Sequence, residues 1–164
     1  MARYQFKGIE EYAAYLQRIS ANSRQVCGAA VYAMADVVAD AVRKNIDALP
    51  TISEQDAYAA YKQRQKTGLT AAQKKGLERG FGISPMENDA GYWNVKLGFD
   101  GYNAVKTKTY PNGQPNAMIA RAVESGSSVR DKTPFIRPAV NGSKKAAVAA
   151  GIAAADKEIK KIKE

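Results

Sequence analysis

The chain has 164 residues and a formal net charge of +9, from 25 Lys and Arg against 16 Asp and Glu. That excess favours an acidic partner in general: nucleic acid, anionic lipid or an acidic protein surface. The chain contains no His, the commonest general base and metal ligand, and its single cysteine, Cys27, excludes a disulfide scaffold within the chain. The length predicts one domain, residues 1–164.

The first third of the chain predicts a short strand and two helices. Tyr4 and Phe6 alternate with polar residues, which is typical of a short strand. Ile9–Ile19 carries apolar residues at helical spacing. A longer helix is predicted over Asn22–Leu49, ended by Pro50. At about seven turns, it would be the main element of the fold.

Neither a membrane span nor a secretory signal is expected. The most apolar stretch, Ala29–Val42, is interrupted by Asp36 and Asp40, and no run approaches the length that a bilayer requires. The N-terminal residues lack the apolar segment of a secretory signal. We therefore expect a chain made in the cytoplasm that leaves it only inside a larger particle.

The middle of the chain predicts two helices and a strand pair. Ser53–Arg79 reads as two helices interrupted at Thr67–Gly68. Phe81–Ile83 and Tyr92–Phe99 alternate apolar and small or polar residues, as half-buried strands do. Pro85–Gly91 is predicted to form the turn between them.

Asp100–Asn116 is a long segment rich in Gly, Asn, Thr and Lys. Loops of this length are usually functional or disordered, so we expect it to be mobile in a free subunit and ordered in an assembly. Thr107–Tyr110 could instead form a strand. Tyrosine is enriched at protein interfaces, and the candidate interface residues of this segment are Tyr102, Tyr110, Asn112 and Gly113.

The C-terminal third predicts two further elements. Met118–Glu124 fits either a strand or a short helix, ended by Gly126. Ser143–Glu164 reads as a helix with a thin apolar stripe at Val148, Ile152, Ala155, Ile159 and Ile162, and residues 157–164 form a lysine-rich end. The predicted fold class is α+β: a small, mainly antiparallel sheet packed against the long helix and the C-terminal helix.

Two prolines four residues apart mark the start of the last helix. Thr133 is a suitable N-cap, and Pro134 at the first helical position loses no hydrogen bond that the helix needs. Pro138 would be costly in a helix interior but falls within the first turn. The pattern predicts a helix that begins at Pro134.

This region resembles a signature near the C-terminus of one phage protein family. The signature has an acidic residue, a small residue and Gly, a loop of about ten residues, and then Pro-Phe-x-Arg-Pro-Ala. In this sequence the matching residues are Glu124, Ser125, Gly126, Pro134, Phe135, Arg137, Pro138 and Ala139. The family comprises small minor tail components of long-tailed double-stranded DNA phages, called tail-completion, neck or head–tail joining proteins. The family commonly has an aromatic residue where Ser125 stands here, and Ser53–Gly80 is longer than usual.

The resemblance implies a structural virion protein rather than an enzyme. Members assemble as rings, commonly sixfold, at the head-proximal end of the tail. Expected partners are copies of the same chain, the tail tube protein and the head-completion or connector protein, with transient passage of double-stranded DNA. Neither a cofactor nor a membrane is expected. Assembly would proceed by β-augmentation through edge strands and the Asp100–Asn116 loop.

The residues themselves suggest no catalytic, cofactor-binding or metal-binding set. Asp36 and Asp40 share a helix face, but Lys44 lies four residues after Asp40, so an ion pair on the helix surface is the better interpretation. The glycines from Gly76 to Gly82 lack the Lys-Ser/Thr of a phosphate-binding loop.

The alternative function is that of a basic nucleic-acid-binding protein. The net charge of +9 and the lysine-rich end support it. Trp93 and Phe99 could stack on bases, but both fall on the apolar side of a predicted strand, where core packing is the simpler role.

Overall fold

A computed structural model describes residues 8–163, which contain six helices and four strands. The helices are α1 (Ile9–Ala21), α2 (Ser23–Asp47), α3 (Glu54–Lys62), α4 (Ala71–Gly80), α5 (Asn116–Ser125) and α6 (Ile136–Lys163), and the strands are β1 (Phe81–Ile83), β2 (Glu87–Asp89), β3 (Tyr92–Asn94) and β4 (Leu97–Phe99). The predicted α+β class, with antiparallel strands and a long C-terminal helix, is confirmed. The predicted strand at Tyr4 and Phe6 lies outside the described residues.

Helices α2 and α6 form a long antiparallel pair. At one end the Asn45 side chain donates to the Phe135 carbonyl oxygen at 2.8 Å, and at the other Gln25 donates to Glu158 at 2.8 Å. Small residues on α6 allow the two helix axes to approach closely. The buried residues of α6 are all small: Ala139, Ser143, Ala147 and Gly151.

Gly151 shows how close this approach is. A Cβ atom at this position would lie 2.6 Å from Met34 Cγ and 3.3 Å from the Ala30 carbonyl oxygen. The apolar stripe predicted on α6 is therefore packed only in part. Val148 and Ile152, which begin that stripe, are exposed, whereas Ala155, Ile159 and Ile162 are half-buried.

The strands form one β-hairpin with a bulge. β1 pairs with β4 and β2 pairs with β3, and both pairings are antiparallel. Between the two paired regions, the two residues Pro85 and Met86 lie opposite the single residue Val95, which makes the bulge. Ala90 and Gly91, with φ angles of 52° and 94°, form the tight turn. The predicted turn over Pro85–Gly91 is therefore wrong, because most of that segment belongs to the bulge and to β2.

The core lies where α2, α4, α5 and the start of α6 meet the hairpin. Three phenylalanine rings make the link: Phe81 to Phe99 at 5.1 Å and Phe99 to Phe135 at 6.0 Å between centroids. The buried apolar side chains of this core are Val42, Ile46, Leu49, Leu69, Leu77, Ile119, Ala120, Val123, Phe135 and Ala139.

Local caps fix the shorter helices. Ser53 accepts a hydrogen bond from the Asp56 amide at the start of α3, and Thr70 forms a full capping box with Gln73 at the start of α4. The segment predicted as strand or helix before Gly126 is helix α5, and Gly126 ends it with a φ of 77°. Such a backbone conformation favours glycine.

Among the described residues, helix α2 is long and apolar enough to cross a membrane, judged by length and composition alone. The sequence expectation of no span relied on Asp36 and Asp40 as interruptions. In the structure α2 packs along α6 and contributes Val42 and Ile46 to the core. The core helix of a folded domain passes the same criterion.

Candidate functional site around Glu124

The residues of the phage-like signature converge on the carboxylate of Glu124. This side chain projects from the last turn of α5 and is 8% exposed. It accepts hydrogen bonds from the backbone amides of Phe135 and Ile136, each at 2.8 Å, and of Arg137 at 3.1 Å. A single carboxylate on α5 therefore caps the N-terminus of α6.

The two prolines explain why one carboxylate is enough. The first turn of a helix leaves its amides without intrahelical partners. Pro134 and Pro138 have no amide hydrogen, so the free donors at this end are the three between them, and all three bind Glu124. The predicted cap at Thr133 is wrong: α6 begins at Ile136, and the Thr133 amide donates to the Val123 carbonyl at 2.7 Å.

The environment of Glu124 sets its charge. Burial acts to raise the pKa of this carboxyl, but the hydrogen bonds from the Ile136, Phe135 and Arg137 amides, together with the Arg137 charge, outweigh burial and lower the pKa. The positive end of the α6 dipole acts in the same direction. The group is therefore ionised at neutral pH and poorly suited to act as a base, since its lone pairs already accept these bonds.

The other signature residues have distinct positions around this cap. Phe135 is 1% exposed, and its ring packs edge to face on Phe99, so the Phe is a core residue. Ala139 is buried in the core. Arg137 places Nε 3.6 Å from the Glu124 carboxylate, yet its side chain remains 75% exposed. Ser125, Pro134 and Pro138 are also exposed to solvent, and Gly126 is half-buried.

The candidate interface residues differ in how exposed they are. Tyr102 is 67% exposed and Asn112 is exposed, while Tyr110 is half-buried. Gly113 is buried: its φ is 112°, and a Cβ atom there would collide with the Asn103 carbonyl oxygen. Gly113 is therefore a requirement of the loop and not a contact residue.

The Asp100–Asn116 loop has its own hydrogen bonds. The Asn103 amide donates to Gln114 at 3.0 Å, and the Asn116 amide donates to Gly101 at 3.0 Å. Thr107 and Tyr110 exchange backbone hydrogen bonds at 3.1 Å as a tight turn, so the strand considered for this segment is absent from it. The hydrogen bonds between residues 101–103 and residues 114–116 hold the two ends of the loop together and form its base.

Comparisons with known proteins return no relative: no protein-family model, curated protein or solved structure matches this chain.

The structure also contains a row of hydrogen-bonded polar side chains that the sequence did not predict. Arg130 donates from Nη2 to Gln73 at 2.8 Å, and Gln73 donates to Gln114 at 2.7 Å, which ties α4 to both neighbouring loops. Arg130 is 8% exposed and lacks an acidic partner among residues 8–163, and burial lowers the pKa of its guanidinium. It lines a cavity of about 200 Å³ with Lys66 and Thr133. Local pattern gives no sign that these residues meet.

The acidic residues of the described chain do not gather as metal ligands. Residues 8–163 contain no group of three or more His, Cys, Asp or Glu side chains placed to hold an ion. Asp40 pairs with Arg43 at 2.9 Å, three residues away, instead of with the predicted Lys44, while Asp36 is exposed on α2. The surface ion-pair interpretation therefore holds for Asp40, with Arg43 as its partner.

Proposed function

We propose that this chain is a structural protein of a tailed bacteriophage or prophage, forming a ring at the head-proximal end of the tail. There it completes the tail and joins it to the head connector. Its partners are further copies of itself, commonly six in the family it resembles, the tail tube protein and the head-completion or connector protein. Double-stranded DNA passes through the ring transiently. The chain is made in the host bacterial cytoplasm and ends in the virion.

The main support for this proposal is structural: the residues that resemble the phage signature link the end of α5 to the start of α6. Glu124 fastens the end of α5 to the start of α6, and Phe135 anchors that start in the core. The roles of Glu124, the two prolines and Phe135 follow from helix capping and burial alone. A signature with these structural roles suits a protein whose task is assembly.

Exposed apolar side chains on the helices give further support. Ile9, Tyr12 and Leu16 are exposed on α1, and Val148 and Ile152 are exposed on α6. Clustered apolar side chains at a surface commonly mark contacts with other proteins. A subunit that functions only in a ring must present such surfaces before it assembles.

The test is the assembly state of the purified chain. Negative-stain images and native mass spectrometry should show closed rings, and the coding gene should lie among portal, capsid and tail-tube genes. A chain that stays monomeric at high concentration and binds duplex DNA with nanomolar affinity would contradict the proposal. That outcome would favour the basic nucleic-acid-binding alternative instead.

A further inference from the structure

The cavity of about 200 Å³ beside Arg130 runs from the protein surface to the core. Its exposed lining residues include Lys66, Asp131 and Thr133, and its buried ones are Leu49, Leu69, Val123 and Arg130. An apolar cavity of about 150 Å³ can hold benzene. The cavity beside Arg130 therefore has room for an organic molecule of about six non-hydrogen atoms.

Arg130 brings a positive charge into this buried region without a counter-charge. The residue is 8% exposed, and its guanidinium stays ionised at neutral pH. Nη2 donates to Gln73, but Nη1 has no hydrogen-bond partner among residues 8–163. The carboxylate of the next residue, Asp131, pairs with Lys66 at 2.7 Å instead. A buried charge without a partner is costly, so an anion that enters the cavity would relieve this cost.

The lining of the cavity favours a carboxylate over other anions. A guanidinium presents parallel N–H donors that match the two oxygens of a carboxylate. The charged lining residues are two cations, Lys66 and Arg130, and one anion, Asp131, so the lining carries a net charge of +1. The buried apolar side chains of the lining suit hydrocarbon, whereas a phosphate would place strongly hydrated oxygens against them. The cavity therefore suits an acid with a short aliphatic body.

We propose that this cavity binds a carboxylate carried on a short aliphatic body. The carboxylate accepts a hydrogen bond from Arg130 and balances its charge, and the aliphatic body packs against Leu69 and Val123. Lys66 adds a second cation at the exposed side of the cavity. This binding site goes beyond the assembly role proposed above and does not depend on the formation of a ring.

Butyrate and butyramide are matched probes for this site, because they have the same size and only butyrate carries a charge. Isothermal titration calorimetry of the purified chain should show saturable binding of butyrate. Butyramide should bind at least about tenfold more weakly, since only the anion accepts a hydrogen bond between two charged groups from Arg130. Inorganic phosphate should also bind less tightly than butyrate, because it has no aliphatic part. The absence of saturable butyrate binding, or tighter binding of phosphate than of butyrate, overturns the proposal.

Two variants with opposite expected effects locate the bound acid. Arg130→Gln removes the buried cation and should weaken butyrate binding at least about tenfold, with folding checked by circular dichroism. Asp131→Asn removes the one carboxylate among the described lining residues and frees Lys66, so it should bind butyrate about two- to fivefold more tightly. The Asp131 side chain is 79% exposed, so this variant should fold even if Arg130→Gln does not. Glu78→Gln, an exposed carboxylate on α4 outside the cavity, is the control and should bind butyrate as the wild type does. Unchanged butyrate affinity in Asp131→Asn would place the butyrate elsewhere and overturn the proposal.

A free acid and the end of a polypeptide can both supply this carboxylate, and a peptide distinguishes them. The probes are acetyl-glycyl-glycyl-valine with a free carboxylate and the same peptide with a C-terminal amide. If the free-acid peptide binds more tightly than butyrate and the amide does not bind, the site takes a chain terminus. If butyrate binds at least as tightly as the peptide, the site takes a small acid. Neither result depends on the oligomeric state, so the failure of this proposal would leave the ring proposal standing.

Discussion

The rings of Phe99 and Phe135 meet edge to face with their centroids 6.0 Å apart, and this contact joins the β-hairpin to the start of α6. Phe81 extends the contact on the hairpin side, 5.1 Å from Phe99. Asn45 on α2 holds the same turn of chain by donating to the Phe135 carbonyl oxygen. Phe135 thus contacts both the hairpin and α2, so its replacement should destabilise the whole domain.

Replacement of Phe135 by Ala should lower the free energy of unfolding by about 3–5 kcal/mol, because it leaves a cavity between the hairpin and α6. Chemical denaturation of the purified chain measures this change. Tyr92→Ala is the matched control, since Tyr92 is 79% exposed, and it should change stability by at most about 0.5 kcal/mol. A loss of less than about 1 kcal/mol would contradict the role of Phe135 as the link between the hairpin and α6.

Glu124→Gln should destabilise the domain by about 1–3 kcal/mol, because the amide offers one acceptor oxygen and turns a donor toward the backbone amides. This loss of stability should occur only when the carboxylate that caps α6 is changed. Glu78→Gln on α4 removes an exposed carboxylate and should have little effect. If both variants unfold at the same denaturant concentration as the wild type, Glu124 does not stabilise the start of α6.

The cap should also depend on pH in a defined direction. The pKa of Glu124 is lowered in the folded chain. Its contribution is therefore fully present above the unfolded pKa of about 4.3 and is lost as pH falls through the folded value. The stability difference between wild type and Glu124→Gln should be constant from neutral pH to about pH 5 and shrink below about pH 4. A difference that grows on acidification would mean that the folded pKa is raised.

The sequence predicted those features whose causes are local. Helical periodicity located α2, and the Ser53 and Thr70 caps lie within three residues of their partners. Period-two alternation located β1 and β4, but the bulge at Pro85–Met86 depends on how the two strands pair and was missed.

The cap of α6 could not be predicted because its acceptor lies on another helix. Thr133 is a residue type that often caps helices, but α6 begins only at Ile136, and Glu124 reaches the free amides from α5. The packed face of α6 was missed for a different reason. Ala147 and Gly151 carry little apolar surface, so the pattern favoured Val148 and Ile152, although close helix approach requires the small residues inside.

The Asp100–Asn116 loop should show mixed protection in hydrogen exchange. The amides of Asn103, Gln114 and Asn116 donate to backbone oxygens at 3.0–3.1 Å and should exchange slowly even in the free chain. Lys106 and Lys108 lie on the exposed part of the loop and should exchange fast. Uniformly fast exchange across the loop would mean that it becomes ordered only in an assembly, as its composition alone suggested.

A glycine variant makes the loop test sharper. Gly113→Ala places a methyl group against the Asn103 carbonyl oxygen at a φ of 112°, and it should abolish the slow exchange at the base of the loop. Gly82→Ala is the control, because a Cβ atom there has open space around it. Retained protection in Gly113→Ala would show that the loop base does not depend on this close approach.

Ala90→Asn should stabilise the hairpin by about 0.5–1 kcal/mol, since Asn tolerates the left-handed conformation that Ala90 holds at a φ of 52°. The change creates Asn-Gly, the pair that favours this type of turn. Equilibrium unfolding gives the energy, and amide exchange in β2 and β3 locates it. An unchanged or lower stability would indicate that the turn relaxes to another conformation in solution.

The lysine-rich end of α6 should not make this chain a strong DNA binder. Lys157, Lys160, Lys161 and Lys163 are exposed, and Lys161 pairs with Glu158. Each cation that contacts a phosphate steepens the salt dependence of binding by about 0.9 log units, and a conduit lined with such contacts would hold the genome instead of letting it slide. We therefore expect these lysines on outer or subunit-facing surfaces of the ring.

Fluorescence anisotropy at physiological salt should give a dissociation constant for duplex DNA no tighter than the non-specific range of about 10⁻⁴–10⁻⁶ M. Nanomolar binding that is lost when the four lysines are changed to Gln would replace the joining-ring proposal with the nucleic-acid-binding alternative.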